Sequence, residues 1–216
     1  MSEQCRLHSE IAAAGRLDEL DVPEAILRNA VQSGLEHAFA CTYHDPPSLP
    51  GIITWGKTVR HLRDALVTQG WKPDSTRNYA TVVSPNEAVA IAVAAGDAAT
   101  GRPEATPSTR SAKGPATRDA VLWNQSSFAE ISESFPRPQV IPGVEQTWLL
   151  LHFMDEQKEE CRIELSLPAR MDDHGHIVQW RERIVLSPIS FRQEPRLADT
   201  GADDEEIDIK IQRRAE

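Results

Sequence analysis

Residues 95–118 hold three glycines, three prolines, four threonines and four basic side chains, and apart from proline no apolar residue larger than alanine. The segment lies between two stretches of β-type alternation. A core must therefore be assembled from the flanks, with this segment carried outside it as a connector or a binding loop. The chain has 216 residues, 40% of them hydrophobic. That is enough for one domain with a modest core. We expect one α+β domain over 1–198, with the long basic loop 95–118 projecting from it.

The N-terminal flank has helical period. Residues 8–19 place Ile11, Ala14 and Leu17 on one side. A longer helix over 22–41 is expected to start at Asp21 as N-cap with Pro23 in its first turn. Its stripe is Ile26, Leu27, Ala30, Val31, Gly34, Leu35, Ala38 and Phe39, with Gly34 placed for a close helix contact. A Pro-rich connection runs to Pro50-Gly51. A second amphipathic helix over 58–69 turns Val59, Leu62, Ala65 and Leu66 inward and ends at Gly70.

Alternation then takes over. Residues 79–83 and 88–94 flank Ser84-Pro85-Asn86-Glu87 and read as a β-hairpin. Its alanines leave a flat face for a helix. Val121-Leu122-Trp123 begins a short strand or helix, and 124–146 is polar without clear period. Residues 147–154 are apolar on both faces, which predicts a central strand. Cys161, Ile163, Leu165 and Leu167 make a one-sided strand, and Ile177 to Leu186 a third, with Arg181-Glu182-Arg183 expected to be a solvent-facing or bulged part. The fold expected is N-terminal helices packed on a mainly antiparallel sheet, formed by the hairpin 79–94 and the meander 147–187. Residues 199–206 are acidic. Ile207, Ile209 and Ile211 follow in alternation, so 199–216 reads as a disordered tail or an added edge strand.

Charge bounds the partners. The formal net charge is −10, while over residues 101–118 Arg102, Arg110, Lys113 and Arg118 against Glu104 make a basic island within the loop. An acidic body repels a phosphate backbone, so direct nucleic-acid contact is expected only through loop 95–118. Cys5, Cys41 and Cys161 have no zinc-type spacing, cannot all pair within the chain, and read as reduced thiols of a cytoplasmic protein. No run is long and apolar enough to span a membrane.

The candidate ligand-binding residues are Gly96, Gly101, Arg102, Ser108, Thr109, Arg110, Lys113 and Gly114. Glycine N–H groups, hydroxyls and guanidinium groups together suit a phosphate or carboxylate. The Gly96–Gly101 interval is that of a P-loop, but Arg102-Pro103 stands where Lys-Ser/Thr is required. Asp172, Asp173, His174 and His176 have the composition of a turn, and Cys41 with His44 lacks two further ligands, so no metal and no cofactor is expected. His152 reads as a core or interface histidine. No catalytic motif is present, so no catalytic residue is assigned.

The expectation is therefore a non-catalytic binding or interaction protein. Its acidic surface and basic loop would meet a protein partner, including one that handles nucleic acid. The alternative is a small enzyme whose phosphorylated or nucleic-acid substrate is held by loop 96–118.

Overall fold

The computed structural model describes residues 5–126, 141 and 143–191. The tail 199–216, with its isoleucine alternation, lies outside the described residues. In chain order the elements begin with β1 (Arg6–His8), α1 (Ile11–Glu19), α2 (Glu24–Phe39), α3 (Leu49–Val67) and β2 (Lys72–Asp74). After these come β3 (Thr81–Val83), β4 (Val89–Ala95), α4 (Pro115–Ser126) and β5 (Gln146–Asp155). The C-terminal part supplies β6 (Glu160–Met171), β7 (Ile177–Val185) and β8 (Ile189–Ser190). The fold is α+β, as the alternation and helical stripes predict. The sheet runs β1-β7-β6-β5-β4-β3-β2, with β8 added beside β6.

The two predicted hairpins form. Thr81 to Val83 pair antiparallel with Ala92 to Ala90, and Leu149 to Asp155 pair antiparallel with Ser166 to Glu160. Their junction differs from a simple meander, because β4 and β5 lie side by side and parallel. Parallel neighbours need a crossover of a dozen residues or more. Residues 96–145 are that crossover, so the basic loop is part of a connection that passes over one face of the sheet. Its last four residues, 115–118, are already the first turn of α4, where Pro115 lacks an N–H that a helix start does not need.

Several helix boundaries move for identifiable reasons. Asp21 ends α1 instead of capping α2. It has φ +56, its N–H donates to the Asp18 carbonyl, and the Val22 N–H donates back to the Leu17 carbonyl at 3.1 Å. This is the left-handed C-terminal closure that glycine usually provides. Gly70 does the same for α3, with φ +87 and the Trp71 N–H bonded to the Leu66 carbonyl. α3 starts nine residues before the expected 58, at Leu49, with Pro50 in its first turn. On α1 the inward residues are Ala13 and Leu17, and Ile11 is exposed.

α1, α2 and α3 cover one face of the sheet. Leu17, Leu27, Leu62, Leu66, Trp71, Ile91, Trp148, Leu150, Ile163 and Leu165 are among the buried residues there. α2 and α3 touch at Gly34, where an added Cβ would stand 2.6 Å from the Thr54 carbonyl oxygen and 2.3 Å from Thr58 Oγ1. The other face is covered by α4 and the loop. Val121 packs with Ala92, Ala94, Leu149, Leu151, Ile177 and Trp180, so the small alanines do receive a helix.

The far hairpin curls toward this second cluster. β6 and β7 change register between Leu167 and Met171, and such bulges bend a ladder. As a result Ile177, at the start of β7, meets the loop. The Thr109 N–H donates to the Ile177 carbonyl at 3.3 Å, and the Ile177 N–H donates to Thr109 Oγ1 at 3.1 Å. Thr109 also bridges Gly96, and the Arg110 N–H donates to the Ala95 carbonyl at 2.9 Å. Backbone pairing thus runs β4-β5-β6-β7 and returns to β4 through Thr109.

Leu27→Ala should cost about 2–5 kcal/mol in urea unfolding, because Leu27 is fully buried and truncation leaves a cavity. Gly34→Ala should destabilise for the opposite reason, by about 1–3 kcal/mol of overpacking. Wild-type stability in either variant would show that the α2–α3 contact is not close-packed.

Candidate functional site

The polar face of β6 is buried beneath the crossover. Glu164 has no exposed side-chain surface and Arg183, from β7, has 4%. They form a two-pronged pair, with Arg183 Nη2 2.6 Å from Glu164 Oε2 and Nε 3.0 Å from Oε1. Ser166 Oγ donates to Oε1 at 2.7 Å, and the Gly101 N–H donates to Oε2 at 2.8 Å. Every lone pair of the carboxylate is engaged, as a buried charge requires. Of the two expectations for Arg181-Glu182-Arg183, the solvent-facing one fails and the bulged one holds: Leu167 pairs with Glu182 and Pro168 with Trp180, which leaves Arg181 as the extra residue. Arg183 points under the loop, while Glu182 on the opposite face accepts from Arg16 of α1 and meets His8 Nε2 at 2.9 Å.

The loop is held by its carbonyls. Arg162 donates to the carbonyls of Ala98 at 2.8 Å and Thr100 at 2.9 Å. Arg183 donates to those of Arg102 at 3.1 Å and Ala105 at 2.6 Å. The Trp180 indole donates to Pro107, and His176 Nδ1 lies 2.7 Å from the Thr109 carbonyl. Arg162 also pairs with Asp155 at 2.6 Å, and this contact holds the Asp155 carboxyl below its ordinary range. Two strand guanidiniums thus dictate the path of residues 98–105, supplying the anchors that the loop's own sequence lacks.

The eight sequence candidates divide accordingly. The Gly96 N–H donates to the His152 carbonyl, and Thr100 Oγ1 occupies the space a Cβ at Gly96 would take. Gly101 has φ +71, and a Cβ there would lie 2.7 Å from Arg162 Cβ. The Ser108 N–H donates to Asp97 Oδ2 at 3.0 Å. Thr109 is buried at the β4–β7 junction. Arg102 lends its carbonyl to Arg183, and its half-exposed guanidinium lies 3.9 Å from Asp155. Gly114 is exposed and its carbonyl accepts the Arg118 N–H in the first turn of α4. Arg110 and Lys113 remain, the first exposed and the second half-buried. Neither makes an ion pair among the described residues, and burial lowers the Lys113 pKa.

His152 joins these two cations. It stands on β5 opposite Ala95 of β4, and Arg110 lies on the other side of Ala95. Its Nδ1 is buried without a hydrogen-bond partner. Burial, followed by the charges of Lys113 and Arg110, lowers its pKa to about 4. The imidazole is therefore neutral at neutral pH.

Of the weak metal candidates, Asp172 has a structural role in its turn. Asp172 Oδ1 accepts the backbone N–H groups of His174 and His176 and shapes the β6–β7 turn. Among the described residues no three His, Cys, Asp or Glu side chains converge on a metal position. Cys5, Cys41 and Cys161 are all thiols, and burial pushes the Cys161 thiol up to about 12. No described helix is long and apolar enough to cross a membrane. Comparison of the chain with protein-family models, curated proteins and solved structures finds no match.

Glu164→Ala would leave Arg183 charged and unpaired and free the Gly101 N–H, so it should cost about 3–5 kcal/mol in denaturant unfolding. A loss below about 1 kcal/mol would show that the pair does not fix the loop. His152 gives a pH signature. The unfolded chain protonates it near 6.5, the folded protein only near 4, so the native state binds fewer protons between those values. The corresponding stability is complete above pH about 6.5 and is lost as pH falls toward 4, roughly 3 kcal/mol in all. Proton NMR should find the His152 ring still in its neutral form at pH about 5, a unit or more below an ordinary histidine pKa; titration near 6.5 would contradict this.

Proposed function

We propose that the protein is a non-catalytic binding protein, and that the outer side of loop 95–114 is its contact surface for an anionic group on a protein partner. The supporting observation is the division of labour within the loop. The carbonyls of Ala98, Thr100, Arg102, Ala105 and Pro107 and the groups of Gly96, Gly101 and Thr109 are bonded inward, whereas Arg110 and Lys113 carry charge with no acidic partner among the described residues. Such charges cost nothing extra to strip from an ion pair when a partner arrives, and charge-assisted contacts contribute roughly 1.5–3 kcal/mol each. The buried network beneath supplies preorganisation, so little ordering is left to be done on binding. The net charge of −10 opposes extended contact with nucleic acid and favours a local one.

The double variant Arg110→Ala with Lys113→Ala tests the reading. Stability should change by about half a kcal/mol or less, the usual range for surface positions. Affinity for a partner captured by the wild-type protein and then purified should fall at least about tenfold. The salt dependence of binding should flatten as well. Unchanged affinity at low and high salt would make the loop a connector only.

A further inference from the structure

Two cations, Arg110 and Lys113, and the His152 imidazole are grouped beside the end of β4. The Arg110 N–H bonds to the Ala95 carbonyl at 2.9 Å, and Ala95 is the register partner of His152. Arg110, Ala95 and His152 therefore form one row across a single face of the sheet. The middle residue offers only a methyl group and remains partly exposed, so no larger side chain of that row stands between guanidinium and imidazole. Lys113 is held by its N–H, which donates to the Gly175 carbonyl at 2.8 Å, and after burial its charge is one cause of the lowered imidazole pKa. His152 Nδ1 is a buried polar atom without a hydrogen-bond partner, which native interiors rarely leave unsatisfied.

We propose that Arg110, Lys113 and His152 form a binding site for a terminal phosphate, the dianionic group of a phosphate monoester. The assignment rests on loop 95–114 being the contact surface and names the chemistry it recognises. A carboxylate offers two oxygens, which Arg110 alone satisfies by its fork. A terminal phosphate offers three oxygens and close to two negative charges. It matches a guanidinium, an ammonium and a neutral imidazole donating from Nδ1. A phosphodiester backbone carries one charge and two free oxygens per unit and leaves one of the three donors idle.

The test titrates the full chain with inorganic phosphate, O-phosphoserine and dimethyl phosphate, followed by calorimetry and by the ring-nitrogen NMR signals of the histidines. Inorganic phosphate and phosphoserine should bind and move the His152 ring signals. Dimethyl phosphate should bind at least about tenfold more weakly. Arg110→Ala with Lys113→Ala should lower phosphoserine affinity at least about tenfold, and His152→Leu roughly three- to tenfold. Tighter binding of phosphoserine than of phosphate assigns the group to a phosphorylated partner; the reverse assigns it to the free ion. Unmoved His152 signals in the wild type, or undiminished affinity in the double variant, would overturn the site. If the double variant still loses its protein partner while the wild type ignores phosphate, this site fails and the loop surface stands.

Discussion

The Glu164–Arg183 pair is the interaction on which the second layer of this protein depends. A buried ion pair is not in itself a large source of stability, because desolvating two charges offsets most of their attraction. Its effect here is conformational. The carboxylate accepts from Gly101, and the guanidinium donates to the Arg102 and Ala105 carbonyls, so one pair fixes three points of a segment with no apolar anchor of its own. Arg162 adds two more. Hydrophobic replacements of equal volume could fill the same space, but they would offer these carbonyls no donors.

That arrangement also changes what the loop presents outward. Glycines beside basic residues resemble an anion cradle, in which N–H groups face a phosphate. In this fold the anion at Gly101 is the protein's own Glu164, and the loop backbone turns its carbonyls inward to arginines. The charges left over are side chains, Arg110 and Lys113, mounted beside the Thr109 junction that ties β4 to β7. A site built on side chains over a fixed backbone is tuned by single substitutions in a way that a backbone cradle is not.

Strands and helices with strong periodicity were legible in the sequence: the α2 stripe as far as Ala38, beyond which Phe39 is exposed, the Gly34 contact, both hairpins and the central position of β5. What was not legible depended on partners far along the chain. Arg162, Glu164 and Ser166 alternate with apolar residues as a solvent-facing set would, and only the crossover above them makes that face interior. The run Arg181-Glu182-Arg183 carries the same ambiguity. A hint lay in β5, whose two apolar faces require cover on both sides, whereas the N-terminal helices supply only one. Asp21 illustrates a local miss, since an N-cap and a left-handed C-terminal residue draw on the same short polar side chains. His152 looked like an ordinary core histidine because its cationic neighbours come from a segment without any periodicity.

The two outermost strands, β1 and β2, are three residues each. β2 reads Lys72-Pro73-Asp74, so its edge carries a charge at either end and a residue with no N–H in the middle. An incoming strand from another molecule finds there neither length nor a full set of donors to pair with. The sheet can therefore keep long, apolar strands at its centre, β5 above all, without offering a template for edge-to-edge polymerisation.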